Sequence, residues 1–224
     1  MAYGFDTPAT FGKFFPDGEF AGYEDFLEGY FEEASAEGQT TQKFFTDFRS
    51  DLHRDFHKGR RSVPDALLPK TFQLAKPYKK LGDIMGLGYA IAVPSSLLDI
   101  IEKLEPGRHQ SWPIDITLPS GDGYPIQYHM LNVLTSLDAW DKEQSDPGSY
   151  KKSMRIFKML RPKQNYASGI ALSREVIGDH HIWRGFVSPE TGISGFNFYV
   201  SDALKEAIDK AGLITPPFYQ LKEV

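Results

Sequence analysis

Six histidines and a scatter of carboxylates are the residues of this 224-residue chain whose types and spacing could do chemistry. His53 and His57 stand four apart, a spacing that on a helix sets two imidazoles on one face and can hold a metal ion. No third ligand follows at a recognisable distance, and Asp55 between them is not the glutamate of a zinc-protease helix. His180 and His181 are adjacent at the entry to a strand. Neighbours in a strand point to opposite faces, so they do not grip one ion together; a structural hydrogen bond for one and exposure for the other is expected. Asp138, Asp141 and Glu143 form a carboxylate cluster. Paired carboxylates divide acid and base roles when their environments differ, but nothing here draws them to a cleft, and turn or capping duty is the expectation. A Gly-x-Ser-x-Gly elbow and a phosphate-loop lysine are both absent, and Gly86-Leu87-Gly88 lacks the later glycine of a dinucleotide site. The sequence therefore points to no enzyme, no metal and no cofactor.

Charge is more informative than nucleophiles. The net formal charge is -5, but it is unevenly spread. Asp17 to Glu37 holds eight acids and no Lys or Arg, whereas Leu52 to Lys80 holds eight bases against Asp55 and Asp65. A third block, Tyr150 to Lys163, carries six bases and no acid. Mixed with Phe157 and the nearby Tyr166, that block is the face a nucleic-acid-associated regulatory module would use. The acidic balance of the whole chain argues against it, since nucleic-acid binding rests on neutralising phosphates.

These charges must be positioned by regular elements. Tyr23, Phe26, Leu27, Tyr30, Phe31 and Ala34 recur at helical spacing, which predicts an amphipathic helix over Tyr23 to Ala36 with one aromatic and one acidic face. Phe44, Phe45, Phe48, Leu52 and Phe56 suggest a second helix closing near Gly59. From residue 81 the rhythm changes. Tyr89 to Val93 reads as a strand leading into a helix that runs through Leu104, and Phe198 to Val200 leads into a helix capped by Ser201 and ended by Gly212. Laid over each other without gaps, Val93, Leu97, Ile101 and Lys103 match Val200, Leu204, Ile208 and Lys210. Two units of one design are expected in related places. Between them lie candidate strands at 112–118, 124–137, 155–160, 170–172, 182–187 and 196–200, separated by turn clusters such as Gly121-Asp122-Gly123. The expected fold is α+β: a mostly antiparallel sheet with segregated helices and a helical, aromatic-rich N-terminal region. The organisation expected is a region 1–80 packed on a main domain 81–224.

The chain is long enough to bury a core without staples. It has no cysteine, which excludes a disulfide scaffold and thiol catalysis. Met1 to Asp6 lacks the basic and apolar runs of a signal peptide, and no apolar run approaches membrane-spanning length, so a cytoplasmic protein without a membrane partner is expected.

An ordered series of segments gives one further clue. Val93 to Leu104 is followed by Trp112-Pro113-Ile114-Asp115-Ile116, then by Leu131-Asn132-Val133, Leu137-Asp138-Ala139, Asp141 and Ser145. His181-Ile182-Trp183-Arg184 and the Tyr199 to Gly212 unit complete it. In this order the series resembles the family-eleven immunity proteins of bacterial polymorphic toxin systems, over a little more than half the chain. After its last helix the family places an aromatic strand; here Pro216 and Pro217 intervene and would displace it. The resemblance implies a non-catalytic protein that binds and neutralises a cognate toxin or secreted effector toxin domain by occluding it. If that toxin has a cationic groove, the matching surface is the acidic helix, so Glu24, Asp25, Glu28, Tyr30, Glu32 and Glu33 are the expected partner-binding residues.

Overall fold

A computed structural model describes residues 1–5, 10–35, 61–88, 90–146, 150–151, 156–157, 166–185 and 198–224. Its elements are β1 (Ala2–Phe5), β2 (Gly18–Phe20), α1 (Tyr23–Ser35), a 3₁₀ turn (Asp65–Leu67), β3 (Thr71–Leu74), β4 (Met85–Leu87), β5 (Ala90–Pro94) and α2 (Ser95–Leu104). There follow β6 (Gln110–Thr117), β7 (Tyr128–Asn132), β8 (Ser136–Leu137), β9 (Trp140–Asp141), β10 (Tyr150–Lys151), β11 (Ile156–Phe157) and β12 (Tyr166–Leu172). The chain ends in α3 (Arg174–Ile177), β13 (Ile182–Gly185), β14 (Phe198–Ser201), α4 (Asp202–Lys210) and β15 (Phe218–Glu223).

The described strands form a six-stranded sheet, in the order β2-β3-β6-β7-β5-β4, a seven-stranded sheet, in the order β8-β13-β14-β1-β15-β12-β9, and a two-stranded ribbon of β10 and β11. The fold is α+β as expected, but the sheets are mixed rather than mostly antiparallel. Parallel pairs join β3 to β6, β8 to β13 and β12 to β15. The reason lies in the connections. A parallel pair needs a crossover, and β3 reaches β6 through the intervening β4, β5 and α2. The described part of residues 1–80 is not simply helical either: β1, β2 and β3 all belong to the sheets. The second expected helix, around Phe44 to Phe56, lies outside the described residues.

Among the described residues, strand alternation divides the interior into three cores. In β5, Ala90 and Ala92 face one side and Ile91 and Val93 the other; in β7, Tyr128 and Met130 oppose Leu131. The outer face of the six-stranded sheet packs on Tyr23, Leu27 and Phe31 of α1 and on Val63, Leu67 and Leu68. Its inner face, α2, α4 and the inner face of the seven-stranded sheet share a second core, to which Leu97, Ile101, Leu204 and Ile208 all contribute. In the seven-stranded sheet, Ile182, Phe198 and Val200 turn to this shared core while Trp183 and Tyr199 turn to a third.

β15 follows Pro216 and Pro217 directly, and the prolines do not keep it out of the sheet. It lies between β1 and β12, with Phe5 opposite Phe218 and Ala2 opposite Leu221. Gly4 makes this approach possible, because a Cβ there would overlap the Tyr219 ring.

Candidate partner-binding surface

α1 begins immediately after Gly22, whose φ of +65° suits glycine, and the Phe26 amide donates to the Gly22 carbonyl at 3.0 Å. Tyr23, Leu27 and Phe31, four residues apart, are buried against the six-stranded sheet. The Tyr23 hydroxyl donates to the Leu67 carbonyl at 2.5 Å. The opposite side carries Glu24, Asp25, Glu28, Glu32 and Glu33, and the last turn of the helix contains no basic residue.

Local energetics do not favour this pattern. Glu24 with Glu28, and Glu28 with Glu32, are like charges at i, i+4. Glu32 and Glu33 sit at the negative end of the helix dipole, where bases are preferred. Only Glu24 and Asp25, in the first turn, lie where the dipole favours acids. The expected site residues are accessible: Asp25, Glu28, Tyr30, Glu32 and Glu33 are exposed and Glu24 is half-buried. Of the aromatics on α1, Tyr30 stays 40% exposed but Tyr23 and Phe31 turn inward. Phe26, which the sequence did not single out as an anchor, is 45% exposed, with its ring centroid 6.1 Å from that of Tyr30.

A groove of about 520 Å³ opens at the N-terminal end of α1, against β2. Phe11, Phe15, Phe20 and Tyr23 line it together with Glu19, Glu24 and Asp25. Phe11 and Phe15 stack with centroids 5.2 Å apart and planes 10° apart. Phe20 meets Phe72 edge to face at 5.2 Å.

The other sequence candidates have structural duties or fall outside. His53 and His57 lie outside the described residues, as does most of the basic block 150–163. No group of three or more His, Asp or Glu is arranged to hold a metal ion among the described residues. The Asp141 Oδ1 accepts from the amides of Glu143 and Gln144, both at 2.9 Å, so this carboxylate caps a turn. Both members of the histidine pair are engaged, and the expected exposed one is not found. His180 Nδ1 lies 2.9 Å from an Arg108 guanidinium nitrogen and 3.3 Å from Glu105, and His181 Nδ1 lies 2.8 Å from the Ser201 hydroxyl.

The charged group that sequence reasoning missed is Glu105, which is 1% exposed. One carboxylate oxygen accepts from the His181 amide at 2.9 Å; the other lies 2.7 Å from His109 Nε2 and accepts from the Ile182 amide at 3.2 Å. Burial, the largest influence, pushes its carboxyl up. The His109 hydrogen bond, the His181 amide, the His109 charge and the Ile182 amide together outweigh burial and hold it at about 2. Arg184 is likewise buried, and its Nε donates to the Val133 carbonyl at 3.0 Å. Burial lowers this guanidinium to about 10. These are fastenings of the fold.

A family model described as an immunity protein family, Imm11, matches residues 34–223. The chain belongs to this immunity protein family. The match extends well upstream of Val93, where the segment-by-segment resemblance begins. No curated protein matches the chain. The segments that carry the resemblance fall largely in the interior: Leu131, Asn132, Val133, Ala139, Trp183 and Arg184 are all buried. They build the scaffold. The acidic face of α1 and most of the groove lining lie before residue 34, where the family match begins.

Proposed function

We propose that this immunity protein binds and neutralises a cognate toxin in the cytoplasm by covering it, without catalysis, and that the acidic face of α1 is the centre of the interface. The observation that carries the reading is a helix with five acids, no base and two exposed aromatics outside the family-matched span. Occlusion of a potent toxin calls for an affinity near nanomolar, about -12 kcal/mol, over roughly 1,600 Å² of surface. An anionic face speeds encounter with a cationic groove, and exposed rings such as Phe26 and Tyr30 supply the kind of anchor on which such interfaces depend.

Co-expression with the toxin encoded beside it, followed by titration of purified components, tests the proposal. Protection complete at equimolar protein is the expected result; protection at a small fraction of that ratio means turnover and overturns occlusion. For the surface, Glu28→Lys, Glu32→Lys and Glu33→Lys together should slow association by about tenfold or more at low salt. High salt should mask the difference. Unchanged kinetics in a folded triple variant would move the interface elsewhere.

A further inference from the structure

We infer that the groove at the N-terminal end of α1 receives an arginine side chain presented by the toxin. The inference rests on the toxin-binding reading and adds the chemistry of one contact to it. The groove combines two features that a guanidinium uses at once. Its walls are ring faces, with Phe11 and Phe15 stacked nearly parallel and Phe11 57% exposed at the mouth. Its rim carries Glu19, Glu24 and Asp25, and no Lys or Arg lines it among the described residues. A guanidinium is planar, weakly hydrated and forked. It lies flat on an aromatic face while its N–H groups reach carboxylates, which an ammonium does less well.

The local electrostatics favour a cation in spite of the helix terminus. The dipole places about half a positive charge at the start of α1, against the carboxylates of Glu19 and Asp25 on the rim. Glu19 and Asp25 are exposed and have no ion-pair partner among the described residues. Lys76 is held by Asp17 at 3.6 Å, so the two add no net charge. Lys76 also shows that a ring of this groove takes a cation: its Nζ lies 5.8 Å from the Phe11 centroid. A volume of about 520 Å³ admits an arginine together with the chain on either side of it, which fits a protein segment better than a free small cation.

The test uses the toxin that co-purifies with the full chain and measures association and dissociation at two ionic strengths. Glu19→Lys with Asp25→Lys should slow association by about tenfold or more at low salt, an effect that high salt masks. Phe11→Leu keeps an apolar side chain of similar bulk but removes the ring face. It should raise the dissociation constant by about threefold or more, as much as Phe11→Ala does. Thermal unfolding checks that each variant is folded; Phe11, being exposed, is a safe position for that purpose. If Phe11→Leu binds like the parent while Phe11→Ala does not, the occupant is apolar and the inference falls. If both groove variants bind normally while the Glu28, Glu32 and Glu33 triple does not, the groove is idle and the wider interface stands. If the unaltered chain fails to bind the toxin, the immunity reading itself fails and this inference with it.

Discussion

The units β5–α2 and β14–α4 place the same residue types in the same core yet differ in how their helix ends are fastened. Val93, Leu97 and Ile101 in one, and Val200, Leu204 and Ile208 in the other, all reach the core between the two sheets, where α2 and α4 pack together. α4 is well started: the Ser201 hydroxyl accepts from the Leu204 amide at 3.3 Å. It is also closed locally, with Gly212 at φ +65° and the Leu213 amide donating to Ile208 at 3.3 Å. α2 follows Pro94, which offers no side-chain cap. Where the first unit's pattern reaches the position equivalent to Gly212, it has Glu105. That side chain leaves its own helix and binds the His181 and Ile182 amides at the start of β13. The end of α4 is closed by its own sequence neighbours; that of α2, besides local bonds such as the Glu105 amide to the Ile101 carbonyl, is tied to a strand more than seventy residues away. Similar apolar spacing thus gives similar packing, while the polar residues at helix ends decide whether a unit stands alone or ties two sheets together.

The strongest way to break this picture is through the shared core. Leu97→Ala and Leu204→Ala should each destabilise by about 2–5 kcal/mol, since both side chains are fully buried. Because the two helices line one core, the double variant should depart from additivity by about 0.5 kcal/mol or more. Denaturant unfolding of the parent, the two singles and the double measures this. Strict additivity would mean that the two units pack independently.

What was legible in the sequence is what local spacing determines. Apolar residues at i, i+3 and i+4 marked α1, α2 and α4 to within about a residue of the observed ends, and Ser201 announced its cap. The acidic run was readable because charge needs no partner to be seen. Which aromatics stay outside was not readable: Tyr23, Phe26, Tyr30 and Phe31 span too wide a stripe, and contacts such as Tyr23 with Leu67 settle the rotation of the helix. The groove joins Phe11 and Phe15 to Phe72 and Gly88, so it exists only after folding. Strand pairing is equally non-local. Nothing in Ala2–Phe5 or Phe218–Glu223 says that they will be neighbours, or that β12 will run parallel to β15. Glu105 was missed because a glutamate just beyond a helix is ordinarily solvated, and only β13 supplies the amides that justify its burial.

pH tests the non-local end of α2. Glu105 is held at about 2, below its ordinary value of 4.5. A depressed carboxyl contributes stability above its unfolded value and loses it as pH falls through the folded one. The contribution, about 3 kcal/mol, should therefore be intact above pH 4.5 and fade toward pH 2. Glu105→Gln should flatten the stability curve across that window while lowering the plateau above it. If the variant keeps the parent's acid sensitivity there, other carboxylates carry it and the tie to β13 is weaker than its geometry suggests.

The smallest effect probes the local start of α4. Ser201→Ala removes the acceptor for the Leu204 amide and the contact to His181 Nδ1 at 2.8 Å, and should cost about 1 kcal/mol. In a chain of this size that is a fall of about 2–4 °C in the thermal midpoint. Ser96→Ala, at the exposed start of α2 where no side chain caps the helix, should stay within about 0.5 kcal/mol. Ser201→Thr keeps the cap hydroxyl and should recover most of the loss. Equal effects at Ser96 and Ser201, measured by thermal unfolding at neutral pH, would erase the contrast between the two helix starts and leave only the difference at their ends.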